Sequence, residues 1–82
     1  MRLLGTISER ALIQRINRYL EKEEGQLLRT CRENSRWYHE LGRYYIIDIN
    51  SNFIVSKHQD LEELGRDLKV MSKHEKLDLQ EN

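Results

Sequence analysis

The chain has no proline, one cysteine (Cys31), one tryptophan, one phenylalanine and no net charge over 82 residues. Each scarcity excludes something. A single cysteine allows neither an intramolecular disulfide framework nor a cysteine-rich zinc site. The longest unbroken apolar run, Tyr44–Ile47, falls far short of the ~18–20 residues that a membrane span needs. No apolar stretch follows Arg2, so no secretory leader is expected, and a lone free thiol fits a reducing cytoplasm. Zero net charge argues against strong non-specific affinity for nucleic acid, which excess Lys and Arg would carry. Gly5, Gly25, Gly42 and Gly65 are too scattered to form a phosphate-cradling loop. No repeat or linker divides the chain. The expectation is one domain over residues 1–71, followed by a polar tail, 72–82, that frays.

What is present is charge, 34% of all residues, and its distribution is uneven. Residues 1–43 hold nine basic side chains against six acidic ones, and residues 44–82 hold five against eight. The bland reading is that the two halves complement each other; the alternative is that one face is steered toward an anionic partner.

Two helices are signalled. Thr6-Ile7-Ser8-Glu9 fits a capping box, and Leu12, Ile13, Ile16 and Leu20 follow as one apolar stripe. Gly25 closes this helix, expected at about Ser8 to Glu24. Asp60-Leu61-Glu62-Glu63 reads as an N-cap with carboxylates in the first turn, and Leu61, Leu64, Leu68 and Met71 repeat at helical spacing. Gly65 lies on that stripe, where close packing is the expected compensation for its low helix propensity.

Between the helices the period changes to two. Arg43–Ile49 and Phe53–His58 read as strands joined by the turn Asn50-Ser51-Asn52, since asparagine tolerates positive φ. Placing Ile47 opposite Val55 gathers Tyr45, Ile47, Ile49, Phe53 and Val55 on one face. Gln26–Arg32 is a third strand candidate, and Glu33–Gly42 is an ordered loop or short helical turn. The fold class expected is α+β, in the order αβββα, with two helices on one face of a small antiparallel sheet. If they cover the Tyr45/Ile47 face, the opposite face presents Tyr44, Ile46 and Ile54 as a docking surface. Trp37 and Tyr38 would serve as aromatic anchors, and Arg29, Arg32 and Arg36 as a polar rim. The same face could close a homodimer.

Catalytic signals are sparse. His39, His58 and His74 share no metal-ligand spacing, Cys31 suits a small buried hydrophobe, and capping accounts for most carboxylates near the hairpin. Neither an enzyme nor a bound cofactor or metal is expected. A nucleic-acid role would use Arg10, Arg15, Arg18 and Lys22 on the first helix, with the arginines after it.

The αβββα order resembles that of double-stranded-RNA-binding domains, but Asp60-Leu61-Glu62-Glu63 stands where their lysine-rich motif would be. Leu61–Val70 is similar to the first helix and turn of helix-turn-helix domains, without a clear second helix after it. A third resemblance covers about residues 8–71. Arg10-Ala11-Leu12-Ile13-Gln14-Arg15-Ile16-Asn17, Leu41-Gly42-Arg43-Tyr44-Tyr45-Ile46-Ile47-Asp48, Asn52-Phe53-Ile54-Val55 and Asp60-Leu61-Glu62 resemble a group of uncharacterised small bacterial proteins encoded on plasmids, phages and integrative elements. That resemblance transfers no site residue. It implies a small accessory protein of mobile DNA, a setting in which inhibitors of host defence and small regulators are both common. The expectation is a protein that occupies a surface on a larger host protein or ribonucleoprotein, such as a CRISPR-type defence complex, with a small nucleic-acid-binding regulator as the alternative.

Overall fold

The computed structural model describes residues 6–72 and 75–77. Strand β1 (Thr6–Ile7) leads into helix α1 (Glu9–Glu23), whose N-cap is Ser8; the Ser8 hydroxyl accepts the Ala11 amide at 3.1 Å. The cap therefore lies two residues beyond the Thr6 that the sequence pattern suggested. Thr6 is extended because it pairs in parallel with β5 (Lys76–Leu77). Leu12, Ile16 and Leu20 form the buried stripe of α1, and Gly25, at φ +66°, turns the chain out of the helix.

Strands β2 (Gln26–Thr30), β3 (Tyr44–Asp48) and β4 (Ile54–Ser56) form an antiparallel sheet in sequential order. A one-turn helix, α2 (Tyr38–Leu41), interrupts the connection between β2 and β3. In the hairpin, Asp48 accepts hydrogen bonds from the Ser51 amide at 2.9 Å and the Ser51 hydroxyl at 3.0 Å, while Asn52 takes φ +64°. These bonds from Ser51 hold the Asp48 carboxyl below its ordinary pKa. The register is Ile47 to Ile54 and Ile46 to Ser56. Val55 is thus the extra residue of a bulge, where an unbroken register would have paired it with Ile47.

Helix α3 (Leu61–Asp67) is capped by Asp60, which accepts the Glu62 and Glu63 amides at 3.1 and 3.4 Å. It ends before Met71; Lys69, at φ +60°, turns the chain, and Met71 still reaches the core. Gly65 has the packing role expected of it. A Cβ there would lie 3.0 Å from Leu12 Cδ1, so glycine is what lets α3 approach α1 this closely.

Both long helices cover one face of the sheet, as the α+β pattern implied, but it is the opposite face from the one expected. Tyr44 and Ile46, read as exposed, are only 7% and 6% accessible and join Leu28, Leu12, Ile16, Leu61 and Leu64 in the core. Ile49, Phe53 and Val55, read as covered, are exposed. β3 is apolar on both sides and cannot set the choice alone. β2 sets it: Leu28 meets the α1 stripe and pairs with Ile46, while its neighbour Arg29 faces the other way beside Tyr45. Asn17 locks this arrangement. Its carboxamide accepts the Leu28 amide at 2.7 Å and donates to the Leu28 carbonyl at 3.4 Å, standing in for a neighbouring strand on the outer edge of β2.

Within the segment expected to fray, residues 75–77 are held against the rest of the chain. Arg15 pairs with Glu75 at 3.0 Å, Arg66 donates to the Glu75 carbonyl at 2.8 Å, and Leu77 packs against the core. Lys73, His74 and residues 78–82 lie outside the described residues.

Candidate functional site

The side of the sheet away from the helices is built in two rows. Arg29 on β2 pairs directly with Tyr45 on β3. Lys57 follows Ser56, the partner of Ile46, and so stands on the far side of Tyr45. Two residues along the strands, the second row is Leu27, Ile47 and Ile54, paired in that order across β2, β3 and β4. Ile47 is nearly inaccessible yet lies outside the helix-covered core, because its neighbours on this second side shelter it.

The connection through α2 supplies the rim. The Ser35 hydroxyl accepts the Trp37 amide at 3.1 Å, and the Trp37 carbonyl accepts the Leu41 amide at 2.9 Å. Gly42 then takes φ +79° and runs so close to His58 that a Cβ would lie 2.8 Å from the His58 Cα. The His58 amide donates to the Leu41 carbonyl at 2.8 Å. This crossing fixes α2 against the end of β4 and brings Trp37 and Glu40 to the edge of the rows. Arg29, Tyr45, Lys57, Ile47 and Ile54 line an open groove of about 550 Å³, with Trp37 and Glu40 at its edge. Trp37 is 53% exposed and carries the Arg36 guanidinium 5.4 Å from its ring centroid, a cation–π contact. Ile54 is 45% exposed, and Phe53, beside the hairpin turn, 74%.

The electrostatics of the groove differ from those of the helical side. Arg15–Glu75, Arg43–Glu9 and Arg66–Glu62 are ion pairs. Arg29, Arg36, Lys57 and Glu40 enter none among the described residues. The groove therefore has two cations without an ion-pair partner among the described residues, over an apolar floor and with one carboxylate at its rim.

Of the residues singled out from sequence, Ile54, Arg29 and Trp37 line this groove, and Arg36 stands over Trp37. Tyr38 is half-buried on α2 and is not part of the lining. Arg32 belongs to a separate depression with Cys31, Asn34 and Arg43. Tyr44 and Ile46 are core residues and are withdrawn from the surface. Tyr45, Ile47, Lys57 and Glu40 were missed; the signal for Tyr45 was Arg29, a charged side chain in a strand and hence a marker of the outward face.

The basic row of α1 is less open than its sequence implied. Arg15 is held by Glu75 and by the Val70 carbonyl at 3.0 Å, and Glu23 lies beside Arg18 and Lys22. Cys31 is a buried free thiol, and His39 and His58 are exposed. Among the described residues no three His, Cys, Asp or Glu side chains are placed to hold a metal ion, and no helix is long and apolar enough to cross a membrane. No protein-family model, curated protein or solved structure matches the chain.

Proposed function

We propose that the chain is a non-enzymatic interaction module that docks the open face of its three-stranded sheet onto a larger protein. One observation carries this reading: Ile47 and Ile54 lie together, with Trp37 at their rim, on a side of the sheet that no described helix covers. A strand exposed to water on one side normally alternates apolar and polar residues, whereas β3 is apolar on both. Aromatic rings and arginines around a small apolar centre are the residue types that dominate binding energy at protein interfaces. The resemblance of residues 8–71 to proteins of mobile elements makes a CRISPR-type defence complex the partner to test first, in the cytoplasm, where the Cys31 thiol would stay reduced.

The nucleic-acid reading on α1 has less support, because Arg15 is already engaged by Glu75. The test is site-specific. A photo-crosslinking residue replacing Ile54, compared with one replacing Glu21 on α1, is irradiated in bacteria that carry an active CRISPR-type system. A crosslink into a subunit of that complex from position 54 and not from position 21 is expected. Crosslinks from α1 alone, or from neither position, overturn the reading.

A further inference from the structure

We infer that the open face takes an acidic segment of its partner: an extended stretch with a carboxylate two residues from a bulky apolar side chain. This rests on the docking role proposed above and names the chemistry of the segment that docks.

The two rows supply the matching geometry. Arg29 and Lys57 flank Tyr45 on strands β2 and beyond β4, two strand spacings apart, or about 10 Å. The apolar row of Leu27, Ile47 and Ile54 lies two residues further along, a displacement of roughly 7 Å. An extended chain running with the strands repeats its side chains on one face at that same distance. It can therefore set an apolar side chain on Ile47 and Ile54 while its carboxylate reaches Arg29 or Lys57. Neither cation has an ion-pair partner among the described residues, so neither must first break a contact. Arg29 can bind a carboxylate through two parallel hydrogen bonds, which adds direction to the attraction. Glu40, at the Trp37 edge, repels a second carboxylate there and so sets the polarity of the segment.

The other anionic class, single-stranded nucleic acid, fits less well. Its bases stack on aromatic faces; the groove offers Tyr45 between the cations and Trp37 at the rim, but the row beside them, Leu27, Ile47 and Ile54, is aliphatic. Its phosphates follow one another without a break, and Glu40 would meet one of them.

The experiment is a selection of random-sequence peptides displayed on phage against the immobilised full chain, followed by fluorescence polarisation with synthetic copies of the enriched peptides. The expected consensus has Asp or Glu two residues from Leu, Ile, Phe or Trp. The double variant Arg29→Glu/Lys57→Glu, altered only at exposed positions, should bind these peptides about tenfold more weakly or worse. It should recover binding when the peptide acid is replaced by lysine. A basic or uncharged consensus, or unchanged affinity in the double variant, overturns the inference. So does a short oligo-dT strand that binds more tightly than the peptides and competes with them. Ile54→Asp separates the two levels: if it abolishes binding while the charge reversals do not, the docking face stands and the acidic class falls. If neither affects binding, both fall.

Discussion

The two sides of β3 come from five consecutive residues, Tyr44–Asp48, and serve different purposes. On the covered side, Tyr44 and Ile46 meet Leu28 and the stripes of α1 and α3, with Asn17 capping the sheet edge and Gly65 allowing the helices to close. On the open side, Tyr45 and Ile47 meet Arg29, Ile54 and Lys57, with Trp37 held at the rim by a single helical turn. The covered side has a complete set of apolar partners. The open side has an equally apolar centre, but it is flanked by Arg29 and Lys57, which have no ion-pair partner among the described residues. In a two-layer fold this small, the helices can cover only one face of the sheet. Beside a strand that is greasy on both sides, the exposed Ile54 and Trp37 therefore form an apolar surface that no described helix covers and that a docking molecule would remove from water.

Truncating one residue on each side gives the sharpest contrast. Ile46→Ala opens a cavity in the closed core and is expected to cost about 2–5 kcal/mol in urea unfolding. Ile54→Ala removes a half-exposed side chain and should cost under about 1 kcal/mol while weakening partner binding. Equal costs for the two would show that both faces are interior, and the comparison would fail. Next in size is Gly42→Ala. Its φ of +79° and ψ of −173° belong to a region that only glycine occupies readily, and the added Cβ would collide with the His58 backbone. A loss on the order of 2–3 kcal/mol is expected. Trp37 fluorescence should shift too, because this crossing holds α2 at the rim of the open side.

Which parts of this were legible in the sequence follows from how far each signal reaches along the chain. The Asp60 cap, the Gly25 stop and the Asn50–Asn52 turn are set by neighbours within a few positions, and each stood out as a residue type with a mechanism. Gly65 stood out as a glycine on an apolar helix stripe, although the contact that requires it is with the distant Leu12. The assignment of faces was not local. Tyr44 and Ile46 are as apolar as Tyr45 and Ile47, so alternation within β3 left a tie, and Leu28 broke it through a contact with α1 and a pairing with Ile46. Ile54 entered the groove through the bulge, which sets it in place of Val55 opposite Ile47 and which no residue preference in that hairpin signals. The role of Asn17 was hidden for the same reason: a polar residue on a helix flank looks solvated until the strand it caps is in place. In the tail, Leu77 gave no periodic pattern, and its pairing with Ile7 comes from tertiary packing alone.

Asn17 offers the next test, now of the sheet edge. Asn17→Ala leaves the Leu28 amide and carbonyl without their partner, but water can reach an outer strand, so the expected loss is about 1–2 kcal/mol. The second expected effect is concentration-dependent association through the exposed edge of β2, read by sedimentation velocity. A variant that stays monomeric and equally stable would mean that the covered side does not need this edge sealed.

The smallest expected effect concerns acid. Glu75, which fastens the tail to the helical side, has its pKa lowered first by the Ser72 amide and then by Arg15. Asp48, in the hairpin that carries part of the open side, has its pKa lowered by Ser51. A carboxyl whose folded pKa lies below its unfolded value contributes stability that is complete above the unfolded value and disappears as pH falls through the folded one. Both contributions are therefore present at neutral pH and fade below the ordinary carboxylate range. Glu75→Gln and Asp48→Asn should each flatten the acid limb of a plot of stability against pH. They should do so at different places in the molecule: amide exchange at Ile7 and Leu77 rises with Glu75→Gln, and at Ser51 and Asn52 with Asp48→Asn. The two sides would then be shown to loosen separately. Exchange that rose at both places in either variant would instead mean that tail and hairpin open as one unit, so that the open side is no more independent of the core than the covered one.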